Sequence, residues 1–148
     1  MYKAKHKQEA KMEVQYILII ENGSLDRTAV SSSLQLDGLN VQYANSTVAG
    51  LEAIIKSRPF LIVVDVNAQK IGATVFARIL KNDDDTKDIK IVAFSDTMIH
   101  KPLVPFDNLI YTDGKEQLLV KGIRIYLVTL KTIISTIIFK NTAYETNY

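Results

Sequence analysis

The chain has no cysteine and, among its 148 residues, only two histidines and three prolines. Without cysteine there are no disulfides, no thiolate nucleophile and no zinc–cysteine site. His6 and His100 are too few for a multi-histidine metal site, and a Ser-His-Asp triad is not expected. A long uninterrupted apolar run is also missing. The most apolar stretch, 118–139, is broken by Lys121, Arg124 and Lys131 and by several Thr and Ser. A bilayer span needs about 20 nearly uninterrupted apolar residues. The apolar run Tyr16 to Ile20 is too short for a secretion signal. The expectation is a soluble, cytoplasmic protein with no membrane span.

What is present is a globular composition, 47% apolar and 23% charged. The length fits one domain, long enough to bury a core without a staple. The net charge of +2 is unevenly placed. Residues 1–13 carry four Lys against two Glu, and residues 118–148 carry four basic side chains against one acidic. The body between them holds ten basic and thirteen acidic residues. No dense basic stripe marks a nucleic-acid surface, so nucleic acid is not an expected partner. We divide the chain into a basic leader (1–13), a body (14–140) and a polar tail (141–148). The leader is read either as a frayed end or as a partner-binding arm.

Along the body, short apolar runs alternate with helical spacing. Gln15 to Ile20 reads as a strand buried on both faces, followed by a loop at Glu21-Asn22-Gly23-Ser24. Ser24 is the expected N-cap of a first helix with Leu25, Ala29, Val30 and Leu34 on one side. Gly38 ends it in a left-handed turn. Val41 to Ala44 is a second strand. Ser46 or Thr47 caps a second helix carrying Val48, Leu51, Ile54 and Ile55. Phe60 to Val64 is a third strand ending on Asp65, and a third helix follows with Ala73, Phe76, Ala77, Ile79 and Leu80. Lys90 to Phe94 is the fourth strand. Pro102 and Pro105 allow only a short helix after it. Asn108 to Tyr111 is the fifth strand. From about Lys115 a last helix carries Leu119, Ile123, Tyr126, Leu127, Leu130, Ile133, Ile134, Ile137 and Ile138 on one face. Five strands alternating with helices through short connections predict a doubly wound parallel α/β sheet. Function in such sheets gathers beyond the carboxyl ends of the strands.

Those strand ends carry a resemblance. Glu21-Asn22 after strand one, Asp65 after strand three and Ser95-Asp96 after strand four resemble the receiver domain of bacterial response regulators, over roughly residues 14–131. The resemblance implies a flavodoxin-like five-stranded sheet in order 2-1-3-4-5. It implies Asp65 as phosphoacceptor, Ser95 as the hydroxyl contacting the phosphoryl group, and Mg²⁺ held by Glu21, Asn22 and Asp65. The chemistry suits these residue types. A carboxylate attacks phosphorus, and a metal and a cation neutralise the charge that spreads over the transferring group.

The departures from the family pattern matter as much. Asn22 stands where the family has a second acid. Thr112, in Thr112-Asp113, stands where the family has the lysine of a Lys-Pro pair. Losing one such preorganised contact costs about 3–4 kcal/mol, or roughly 10²–10³ in rate. Lys70, Lys101 and Lys115 are the nearby cations. Gln69 replaces a family proline, and Leu109 lies near the usual aromatic switch position. The stretch Ser95 to Thr112 is about five residues short, which implies a fourth helix that is truncated or unwound, and the last helix extends beyond the family's limit.

Three functions stay open. The first is an atypical, pseudo-receiver signalling module, not an enzyme. It would bind a histidine kinase, a downstream protein or its own copy, with weak or no phosphorylation. The second is a working Mg²⁺-dependent phosphoacceptor using Asp65. The third is a flavin or nucleotide binder at Glu21–Ser24 on the same fold. The acidic run Asp83, Asp84, Asp85, Asp88 lacks calcium-loop spacing and reads as a solvated connection. Ile125, Val128 and Phe139 lie away from the main apolar face of the last helix, either as ordinary surface residues or as an interaction face. About 17 residues follow Lys131, so no output domain is expected in this chain.

Overall fold

Three strands are almost wholly buried because both faces of the sheet are covered. The computed structural model describes residues 15–68, 70–99 and 104–146. The leader 1–13, Gln69, His100, Lys101, Pro102 and the last two residues of the tail lie outside them. The order is β1 (Tyr16–Ile20), α1 (Arg27–Gln35), β2 (Asn40–Ala44), α2 (Thr47–Lys56), β3 (Leu61–Asp65), α3 (Ala73–Lys81), β4 (Lys90–Ser95), β5 (Asn108–Tyr111) and α4 (Glu116–Thr146). The strands form one sheet in order β2-β1-β3-β4-β5, and every neighbouring pair is parallel. The expected flavodoxin-like topology is therefore present.

Alternation along the strands sorts the core into two layers. Leu18, Ile20, Ile62, Val64, Ile91 and Ala93 pack with Ile54 of α2 and with Phe76, Ala77 and Leu80 of α3. Ile17, Ile19, Leu61, Val63, Val92 and Phe94 pack with Val30 and Leu34 of α1 and with Leu119, Ile123 and Tyr126 of α4. Two-sided burial explains why β1 reads as a continuous apolar run. Gly38 takes φ +77° at the end of α1, the left-handed turn that favours glycine.

Several local expectations are corrected. The N-cap of α1 is Asp26, whose side chain accepts from Ala29 N, because the Ser24 hydroxyl instead donates to Asn22 Oδ1 at 3.0 Å. Val48, Ile55 and Ile79 are exposed. Ile54 and Ile55 point about 100° apart on the helix, so only Ile54 meets the sheet. Of the stretch between β4 and β5, residues 96–99 and 104–107 are not helical, as a truncated or unwound fourth helix requires, and residues 100–103 lie outside the described residues. Asp107 ties the end of this stretch to the start of β4, its N–H donating to Ile91 O and its Oδ2 accepting from Ile91 N, both at 2.8 Å. Phe106 packs against the core.

The last helix continues as a helix to Thr146, into the segment read as a polar tail. Its inner stripe is buried from Leu119 to Tyr126, and Leu127 and Leu130 still pack against the core. Beyond them Ile133, Ile134, Ile137 and Ile138 are half exposed. By length and composition, Glu116–Lys140 is apolar enough to cross a membrane, with mean hydropathy 1.6. That qualifies the sequence expectation, but the inner stripe up to Leu130 is committed to the sheet and Arg124 is bonded to Asp37 at 2.6 Å. Residues 131–140 then rise only about 15 Å, half a hydrocarbon core.

Candidate functional site

The parallel sheet brings the ends of β1, β3, β4 and β5 to one edge. There a cleft of about 100 Å³ is lined by Glu21, Asp65, Asp96, Thr112 and Lys115, among others. Three carboxylates therefore meet, and the partner of each decides what the cleft can do.

Glu21 is buried and fully engaged. Its Oε2 accepts from Gly23 N at 2.6 Å and from Leu25 N at 3.2 Å, and its Oε1 accepts from Arg27 Nε at 2.6 Å. Arg27 also donates to Asn45 Oδ1 and lies 4.8 Å from the centre of the Tyr43 ring. The guanidinium is thus held in place and neutralises the carboxylate.

Asp65 ends β3 with its side chain half buried. Its Oδ1 accepts from Asn67 N at 2.9 Å, closing an Asx turn. Burial raises its pKa above the ordinary 3.8, Asp96 and Glu21 push the same way, and the Asn67 bond opposes them. Because the folded value is the higher one, ionised Asp65 weakens the fold as pH rises through the window above 3.8. Asp65→Asn keeps the turn's acceptor and removes the charge. The variant is expected to melt above the wild type at pH 7 and level with it near pH 3. An equal or lower melting temperature at pH 7 would refute this.

The remaining predicted residues are placed as follows. Asn22 is exposed, with its Oδ1 accepting from Ser24. Ser95 is buried, and its Oγ accepts from Thr97 N at 3.2 Å. It lines a separate cleft of about 640 Å³, with Arg78, Thr97, Phe106 and Leu109, where a fourth helix would lie. Thr112 is buried and its hydroxyl lies 2.6 Å from Asp96 Oδ1, donating to the carboxylate. Lys115 sits at the rim, exposed, with Nζ 3.9 Å from Asp113 Oδ2. Ile125, Val128 and Phe139 are exposed on α4.

The structure therefore brings Glu21 and Asp65 together but not Asn22 or the Ser95 hydroxyl. The expected Mg²⁺ set does not fit: Glu21 has its charge answered by Arg27, and Asn22 is turned toward Ser24. No group of three or more His, Asp or Glu side chains suited to a metal occurs among the described residues. Sequence reasoning missed Arg27, and placed Asp96 at the strand end without giving it a role. The available signals were a cation six residues after Glu21 and an acid directly after Ser95.

No family model matches the sequence, and no curated protein matches it. Solved structures do resemble it. A chemotaxis response regulator of Vibrio cholerae gives a TM-score of 0.64 at 19% identity, covering 76% of this chain and 98% of that one. The signal receiver domain of a histidine kinase from Syntrophus aciditrophicus gives 0.65 at 21%, covering 79% and 92%. The phosphorylated cyanobacterial phytochrome response regulator gives 0.68 at 19%, covering 80% and 96%. The chain has the fold of response-regulator receiver domains.

Proposed function

We propose that this receiver-fold chain is a cytoplasmic signalling module that acts by binding proteins, with weak or no phosphorylation of Asp65, and that it is not an enzyme. One observation carries the reading: the carboxylate at the metal position, Glu21, is bonded by Arg27 and by two backbone N–H groups. Thr112 supports it, because a hydroxyl bonded to Asp96 stands where a phosphoryl-binding cation belongs. The partner classes this reading allows are a histidine kinase, a downstream signalling protein or a second copy.

A phosphoaccepting role is favoured by one feature, Lys115 at the rim of the acidic cleft. The flavin or nucleotide reading is disfavoured by size. The cleft beside Glu21 holds about 100 Å³, against roughly 300–1,000 Å³ for small-molecule pockets. Incubation with Mg²⁺ and acetyl phosphate, read by intact mass, separates the first two readings. No mass change is expected under conditions that label an ordinary receiver. Gain of one phosphoryl group, absent in Asp65→Ala, would overturn the proposal.

A further inference from the structure

A second cleft stands apart from the acidic edge. It holds about 640 Å³ between α3 and the β4–β5 edge of the sheet, inside the roughly 300–1,000 Å³ typical of small-molecule pockets. Small side chains make room for it. Side chains alternate along β4, so Ala93 and Ser95 face the same side of the sheet. Both are small, and so is Ala73 at the start of α3. Leu109 pairs with Ala93, and Leu109 and Phe106 are only partly buried against this layer of the core. They give the cleft an apolar floor.

Its lining carries a single charge. Arg78 is the sole charged side chain there, and no carboxylate lines the cleft. The Arg78 guanidinium has no hydrogen-bond or ion-pair partner among the described residues. The other three arginines are engaged, Arg27 on Glu21, Arg58 on Asp85 O and Arg124 on Asp37. Lys81, the next cation on α3, is held by Asp107 Oδ2 at 2.8 Å and Ile89 O at 3.0 Å. Thr74 stands one turn before Arg78, so a hydroxyl and the guanidinium share one wall. One unpaired guanidinium suits one carboxylate, which it grips through two parallel bonds. A polyphosphate calls for several cations, and the lining has one.

We infer that this cleft binds a small organic monocarboxylate, with the carboxylate on Arg78 and Thr74 and an apolar body on Phe106 and Leu109. The inference goes beyond the proposed function, because Glu21 and Asp65 line the other cleft. It also gives Ser95 a place. Its hydroxyl, expected at a phosphoryl group, lines this cleft beside Thr97.

The test is titration of the full ¹⁵N-labelled chain at pH 7 with 2-naphthylacetate and, separately, with its neutral amide. Saturable binding of the carboxylate is expected at roughly 0.1–1 mM, the range for a ligand of this size. Backbone amide shifts should fall at Thr74, Arg78, Thr97 and Leu109. The amide should bind about tenfold more weakly, because it forgoes the charged bonds to the guanidinium. Arg78→Gln should bring the carboxylate down to the amide's affinity and leave the amide unchanged. Arg78 is exposed, so the variant is expected to fold. Thr74→Trp, also at an exposed position, should obstruct the cleft and weaken both probes. Ile137→Asp on the distal part of α4 should change neither. Shifts confined to residues 133–139 would overturn the proposal, since they mean adsorption to the open stripe of α4. So would equal affinity for the two probes, or a carboxylate preference that survives Arg78→Gln. No saturable response to either probe, as a cleft reserved for a protein segment gives, overturns it too. Binding is read independently of phosphoryl labelling, so failure of either leaves the other interpretable.

Discussion

Arg27→Ala is expected to melt about 10 °C below the wild type at pH 7 and to become sensitive to Mg²⁺. Glu21 is 1% exposed, and Arg27 is its sole ion-pair partner among the described residues. Removing one partner of a buried pair leaves an uncompensated charge, at about 3–5 kcal/mol. The Arg27 side chain is 35% exposed and two backbone N–H bonds to Glu21 remain, so screening lowers the cost below that range, to roughly 2–3 kcal/mol. For a domain of this size each kcal/mol moves the melting temperature by about 3–5 °C. Adding Glu21→Gln should recover much of the loss, because no buried charge is then left alone. That recovery separates the ion pair from the packing of Arg27 on Tyr43. Freed of its guanidinium, Glu21 faces Asp65 and Asp96 as a third unscreened carboxylate. Millimolar MgCl₂ is then expected to raise the melting temperature of Arg27→Ala and to leave the wild type unmoved. Equal Mg²⁺ responses would show that Arg27 does not close the site.

Gly122→Val should destabilise the fold by about 1–3 kcal/mol, read by urea unfolding. A Cβ at Gly122 would lie 2.6, 2.8 and 2.9 Å from Ile110 Cγ2, Cδ1 and Cγ1. Ile110 is 7% exposed, between β4 and α4, and has little room to move. Overpacking of this kind costs about 1–3 kcal/mol, and a β-branched side chain regains less helix propensity than alanine would. The contact matters beyond stability, because it fixes how closely α4 lies on β5. Ile110→Ala opens a cavity on its own, yet combined with Gly122→Val it should cost less than the two changes added together. Strict additivity would place the clash elsewhere.

Both variants test features that local patterning could not reveal. The five strands, their two-sided burial and the approximate helix limits were legible because each depends on spacing within a few residues. The departure at Thr112 was legible for a similar reason, since the strand end identifies the position. The errors have equally physical origins. Ile55 and Ile79 satisfy helical spacing, but a short helix meets the sheet along one narrow line. The shortened connection after β4 was legible from its length, but not that Asp107 ties its end to Ile91 through one backbone and one side-chain bond. Ser95 was placed at the right strand end, but its hydroxyl is spent on Thr97 two residues away.

The sequence by itself determined the sheet, the acidic edge where Glu21 and Asp65 converge, and the absence of a lysine at the fifth strand's end. Hydrophobic periodicity and residue identity are enough for those. Only the tertiary structure decided that Arg27 neutralises Glu21, that Thr112 is bonded to Asp96, and that Arg124 ties α4 to Asp37 across 87 residues. It also decided that the stripe of α4 is covered up to Leu130 and left open at Ile133 and Ile137. The reason is that a charge or an apolar face acquires its meaning from its partner. Partners are chosen by how the chain packs, and spacing along the chain does not encode that choice.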